Sequence, residues 1–198
     1  MNILRLFTVG IVLSFFLTGC NLIPTKKNTG QLQQQNPQTL TRWEFKGRVA
    51  IKTKKDSNIL RIHWRQNKED ISLRIYGSFG KTYASLVRIN GLSTLKVEDK
   101  TYQDNNAEIL LWRVLGWQIP LDEMSYWIRG IPAKGNLSPT ITKTKRDYLK
   151  TLDYNNWHIS YQKYKTFAHY PLPIKLKLIH PDISLKFSIQ KWILQPQS

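Results

Sequence analysis

From residue 43 onward, apolar and polar positions alternate over long stretches of this chain. In "WEFKGRVAIK" Trp43, Phe45, Gly47, Val49 and Ile51 share one face, while Glu44, Lys46, Arg48 and Lys52 take the other. A period of two residues marks a strand with one dry side. "ILRIHWRQ" repeats the device, with Leu60, Ile62 and Trp64 opposite Arg61, His63 and Arg65, and "NKED" at 67–70 supplies a polar turn. "ISLRIYG" places Ile71, Leu73 and Ile75 on one side; after "GSFG", "KTYASLVRI" returns with a weaker phase. Two shorter runs, "STLKVED" and "TYQD", complete this first series.

The period then changes. In "NNAEILLWRVLG", Ala107, Leu110, Leu111, Val114 and Leu115 form a broad apolar helical face, with Asp104 as the expected cap and Gly116 as the stop. "IPLDEMSYWIRG" predicts a second short helix, with Asp122 and Glu123 in its first turn and Gly130 at its end. Strand patterns resume in "YLKTLD", "WHISYQKY", "PIKLKLI" and "ISLKFSIQKW". The expected fold is mainly β with short helices (α+β), a long antiparallel sheet interrupted by two helices. Its dry face carries Trp and Phe and is too broad for two short helices to cover on a flat sheet. A curved sheet is therefore expected, an incomplete barrel with a helical lid around a hydrophobic cavity.

One apolar residue escapes the pattern. Phe79 stands at the tip of the hairpin, in Gly77-Ser78-Phe79-Gly80, where turns ordinarily carry polar side chains. It either folds back onto the sheet or addresses something apolar outside the protein.

The amino terminus gives that outside a location. "MNILRLFTVGIVLSFFLTGC" has a basic Arg5 and an apolar run from Leu6 to Leu17, the length of a signal-peptide core and short of the roughly 20 residues of a spanning helix. "LTGC" at 17–20 resembles the lipobox of bacterial lipoproteins and holds the single cysteine. That resemblance implies residues 1–19 as a signal peptide, cleavage before Cys20, and acylation of Cys20 as a membrane anchor. Asn21, rather than Asp, favours the outer membrane, with the domain facing the periplasm. Residues 20–40 read as the acylated cysteine and a polar tether whose Gln-rich end is a candidate short helix, and 41–198 as the folded domain.

The formal charge of +17 directs the surface toward anions. Basic runs at 52–55 and 143–150, with 7 Trp and 9 Tyr, raise nucleic acid as a partner. No helix-turn-helix, zinc or RNP pattern accompanies them, and an exported chain is removed from nucleic acid. Arg48, Arg61, Arg65, Lys143, Lys145 and Arg146 are instead candidates for steering an acidic partner or touching an anionic membrane. Catalysis finds little support. His63, His158, His169 and His180 follow no metal-ligand spacing, and the acid pairs at 69–70, 98–99 and 122–123 occupy turns or element ends. There is no Gly-x-Ser-x-Gly elbow and no phosphate loop. No enzyme, cofactor or metal is expected, and the domain reads as a monomer.

Several stretches together resemble the LolB family of outer-membrane lipoprotein receptors: "FKGRVAI" at 45–51, "IHWRQ" at 62–66, "GWQIPLDEMSYWIRGIP" at 116–132, "NNWHISYQKY" at 155–164, "LPIKLKL" at 172–178 and "LKFSIQKW" at 185–192. The likeness spans about 41–192, and "YGSFG" at 76–80 takes the place of the family's Asn-Pro-Leu-Gly turn. The resemblance implies a half-barrel similar to that of the soluble carrier LolA, which hands acylated lipoproteins to the receptor for placement in the inner leaflet of the outer membrane. It further implies that Trp64, Trp127 and Trp157 line an acyl-binding cavity, and that Phe79 stands where the family has the exposed leucine of a membrane-insertion loop. A tethered module for another amphiphile, and a structural envelope lipoprotein using its basic surface, are the competing readings.

Overall fold

Two strand meanders meet along one seam to make a single antiparallel sheet. The structure, a computed structural model, describes residues 34–77, 80–135 and 137–195. The first meander runs through β1 (Arg42–Thr53), β2 (Ser57–Asn67), β3 (Asp70–Tyr76), β4 (Thr82–Ile89), β5 (Leu92–Val97) and β6 (Lys100–Asp104). Helices α1 (Ala107–Leu115) and α2 (Leu121–Ile128) follow. The second meander is β7 (Thr140–Lys143), β8 (Leu149–Tyr154), β9 (Trp157–Phe167), β10 (Tyr170–His180) and β11 (Ile183–Leu194). The order β6-β5-β4-β3-β2-β1-β11-β10-β9-β8-β7 covers 11 strands and leaves β6 and β7 as edges, so the sheet is open. The α+β class with an open antiparallel sheet is as the sequence pattern predicts.

The alternation in sequence becomes an alternation in burial. Trp43, Phe45, Val49 and Ile51 of β1 are buried, and Lys46, Arg48 and Lys52 are exposed; Ile71, Leu73 and Ile75 repeat this in β3. These faces join helix residues such as Leu110, Leu121 and Ile128 in one hydrophobic core. Burial of this kind is worth about 1.5–3 kcal/mol for each large aliphatic or aromatic side chain.

The seam is β1 against β11, from Trp43 opposite Leu194 to Thr53 opposite Ile183, with a register shift at Lys46/Gly47. Gly47 is required there by space. A Cβ on it would approach the Ser188 carbonyl oxygen to 2.4 Å, so the bulge that bends the seam accepts no side chain. Two details differ from the sequence reading. Asn106, not Asp104, caps α1, its Oδ1 accepting from the N–H groups of Glu108 and Ile109 at 2.9 and 3.1 Å. Asp104 instead accepts from the backbone N–H of Asn106 at 3.0 Å. β7 was not anticipated, because all four of its residues are exposed and no apolar alternation marks it.

Candidate functional site

The inward faces of β1 to β5 and β11 form the floor of an apolar cleft, and the two helices form its roof. Val49, Ile62, Leu73 and Phe187 belong to the floor; Leu111 and Leu115 of α1, and Leu121 and Met124 of α2, close it from above. Every lining residue is apolar, and the cleft holds a volume of only about 30 Å³, comparable to one water molecule. Side chains of the lid fill it. Trp117 and Ile119, in the five-residue connector between the helices, complete the lining. Trp117 also stacks on Tyr83 of β4, ring centroids 6.3 Å apart and 15° from parallel.

α2 is fixed by polar contacts at both ends. Arg88 of β4 donates from Nη2 to Asp122 at 2.6 Å, and the Tyr161 hydroxyl of β9 donates to the Trp127 carbonyl at 3.0 Å. Arg129, just beyond the helix, is buried at 6 % exposure, with no carboxylate within 4.0 Å among the described residues. Its Nε donates to Ser125 O at 3.0 Å, and its Nη1 donates to Leu40 O at 2.8 Å and Pro37 O at 3.2 Å. Its guanidinium lies 4.9 Å from the Tyr126 ring centroid and 5.9 Å from that of Trp43. Burial lowers its pKa to about 10, which leaves it charged at neutral pH, held by carbonyl dipoles and ring faces. Gly130 turns the chain away at φ +76°, with Tyr164 packed where a Cβ would lie.

The three tryptophans singled out by sequence fall into two groups, and none lines the apolar cleft. Trp64 is fully buried in a ring cluster with Trp43 and Phe45. Its Nε1 donates to Gln66 Oε1 at 3.0 Å, and Gln66 donates on to Lys68 O at 2.6 Å. Trp127 of α2 and Trp157 of β9 come together, centroids 5.8 Å apart, and both border a groove of about 340 Å³ between α1 and the β8–β9 turn. Trp127 Nε1 is buried and has no hydrogen-bond partner among the described residues. Ile119 lines both this groove and the apolar cleft. The connector is therefore the wall between them. Trp117, Met124 and Arg129 were missed as site residues. A connector tryptophan and a helix-end arginine look, in sequence, like ordinary surface chemistry.

Gly77 and Gly80 flank the β3–β4 turn. Gly77 N–H donates to Lys81 O at 2.8 Å and Gly80 N–H to Gly77 O at 3.1 Å. Gly80 has φ +80°, a left-handed conformation that favours glycine, whereas Gly77 does not have positive φ. Ser78, Phe79 and Cys20 lie outside the described residues. Arg48, Arg61 and Arg65 point away from the cleft on the outer face of the sheet, and Lys145 and Arg146 belong to the β7–β8 turn. Among the described residues no group of three or more His, Cys, Asp or Glu side chains is placed to hold a metal.

Comparison with known proteins decides the family. The family model described as "Outer membrane lipoprotein LolB" matches residues 41–192. The chain belongs to the LolB family. A LolB from Marinomonas sp. (strain MWYL1) is 30% identical over 181 residues, 90% of this chain and 93% of that protein. LolB of Psychromonas ingrahamii is 31% identical over 190 residues, covering 90% and 91%. Among solved structures, a LolA superfamily protein from Nitrosomonas europaea superposes with a TM-score of 0.50 at 8% identity, over 80% of this chain and 88% of that one. The fold is thus LolA/LolB-like. As a LolB-family member the protein is an outer-membrane lipoprotein of the receptor type, with a role in transport rather than catalysis.

Proposed function

We propose that the domain accepts the acyl chains of lipoproteins from a periplasmic carrier resembling LolA, by lifting α1 and the connector off the sheet. The observation that carries this reading is the wholly apolar cleft beneath the lid, nearly filled by the lid's own side chains. A space lined only by carbon gains no polar ligand, and each acyl CH2 moved into it from water gains about 0.8 kcal/mol. Displacing the connector at Trp117–Ile119 would merge the cleft with the groove at Trp127 and Trp157, making one long cavity. In that state two of the tryptophans implied by the LolB resemblance, Trp127 and Trp157, line the acyl site, and Trp64 is packed in the core behind it.

Delivery requires no nucleotide if each successive compartment binds the cargo better than the last. Cys20, acylated after removal of residues 1–19, holds the domain to the outer membrane through the tether at 20–40. Phe79, at the tip between β3 and β4, enters the inner leaflet and opens a path for the departing chains. The test loads the carrier with a labelled lipoprotein, mixes it with residues 33–198, and then adds liposomes. Label should move to this domain and then to lipid. Retention on a competent carrier would overturn the receptor reading, and uptake of free lipid in place of acylated protein would favour the amphiphile-binding alternative. Phe79→Glu should leave acceptance intact and cut release into liposomes at least tenfold. Normal release would remove Phe79 from the mechanism.

A further inference from the structure

The outer face of the sheet, opposite the cleft, sets cations directly across from cations. Arg48 of β1 faces Arg61 of β2, Lys177 of β10 faces Lys186 of β11, and Lys163 of β9 faces Lys175 of β10. Across the seam Lys46 faces Lys191. Of these eight, only Lys46 has a carboxylate within 4.0 Å among the described residues, Glu44 at 3.7 Å. Glu44 is also engaged by His63 at 2.7 Å and Arg65 at 3.6 Å. Like charges directly opposite on neighbouring strands destabilise a sheet, so this arrangement costs stability that a solvated surface alone does not require. Elsewhere the chain does pair its charges, as Lys54 with Asp182 at 2.7 Å and Lys143 with Asp147 at 2.8 Å.

We infer that this face is a docking surface for the phosphates of an anionic lipid bilayer, and that it lays the tethered domain against the membrane. The charges form a broad array from β2 to β9 rather than a focused cleft, with no acidic residue among the four facing pairs. Lipid phosphates move laterally and can match such a fixed array, whereas an acidic protein would need its own complementary pattern. Toward the β10–β11 turn the face dips into a shallow cleft of about 580 Å³ whose lining includes Lys52, Lys177 and Lys186 beside the Lys54–Asp182 pair, giving headgroup oxygens a place to enter. The bilayer is also the partner nearest to an outer-membrane lipoprotein. The inference rests on that location and not on the cavity reading.

The test uses residues 33–198, since the hydrophobic core formed by the described residues lies within the compact unit Gln33–Ser198. Flotation with phosphatidylcholine vesicles, with and without phosphatidylglycerol, should show association with the anionic vesicles only, weakening as salt is added. The doubles Arg48→Gln/Arg61→Gln and Lys177→Gln/Lys186→Gln should each lose about 25-fold in vesicle affinity, at about fivefold per cation. Both should unfold at higher urea than the parent, which shows that lost binding is not lost folding. Lys145→Gln/Arg146→Gln removes equal charge from the β7–β8 turn and should change affinity less than twofold. Equal losses from all three doubles would reduce the effect to net charge and overturn the inference. So would face doubles that keep vesicle affinity while losing affinity for polyglutamate, which would assign the face to an acidic protein. Phe79→Glu separates the two readings, because it should impair cargo release while vesicle association persists.

Discussion

The two lid helices differ by one residue in length, yet different chemistry holds them. Five of the eight residues of α2 are buried, and hydrogen bonds from Arg88 and Tyr161 reach it from the sheet. Only three of the nine residues of α1 are buried, and Ile109 and Trp112 on its outer side are 48% and 57% exposed. Its polar ties are the cap at Asn106, a hydrogen bond from the backbone of Leu121 to the Glu108 carboxylate, and Arg113, which reaches the Gln103 carbonyl at 3.5 Å and Asp104 at 3.3 Å, the last a half-exposed ion pair worth at most about 1 kcal/mol. In the proposed opening this contrast sets the direction: α1 and the connector would move, and α2 would remain as the wall.

The largest test of this contrast is Trp127→Ala, which should cost about 3–5 kcal/mol in urea unfolding, because a fully buried ring of the fixed helix is removed. Trp112→Ala on α1 should cost less than about 0.5 kcal/mol; similar losses at the two sites would end the distinction. Arg129→Met comes next, with an expected loss of about 1–3 kcal/mol, since the carbonyls of Leu40 and Pro37 lose their donor. Hydrogen exchange then reads the helices directly. Amides of α1 should exchange at least tenfold faster than those of α2, a difference of about 1.4 kcal/mol in local opening. Equal protection would mean that the lid moves as one body.

The smallest effect is at Glu108, whose pKa is raised by burial and by the nearby carboxylates of Glu123 and Asp122. An acid with a raised folded pKa is destabilising when ionised, so stability from this group is gained as pH falls toward its unfolded value. Glu108→Gln should therefore stabilise α1 by a few tenths of a kcal/mol at neutral pH, discounted for its partial exposure. The difference should vanish at about pH 3, below the unfolded value, where the acid is protonated in both states. A gain that persists there would point to helix propensity instead of charge.

The strands with one dry side were legible because burial and sequence share a period of two, as in Ile71, Leu73 and Ile75. β7 was not, since an edge strand exposed on both faces carries no such signal. Both helices and their terminal glycines were readable from apolar spacing, while the choice between Asp104 and Asn106 as cap depended on two residues of register. The site divided in the same way. The tryptophans were singled out by the LolB resemblance and not by local pattern, and the placement of Trp64 apart from Trp127 and Trp157 follows from tertiary packing that no local pattern encodes. Arg129 was hidden for a different reason. A buried arginine satisfied by backbone carbonyls has no acidic partner in sequence to betray it.

The seam between β1 and β11 also sets the order of events in folding. Its paired positions are separated by 130 residues at Thr53–Ile183 and by 151 at Trp43–Leu194, so the centre of the sheet is its least local part. Contacts of such range form slowly, because loop closure precedes any gain from pairing. Each meander can assemble from neighbouring hairpins, but β1 lacks its second neighbour until the last dozen strand residues are made. A polypeptide bound for the outer membrane must first cross the inner one. Until β11 has followed the other ten strands across, β1 has no second neighbour and the domain stays incomplete.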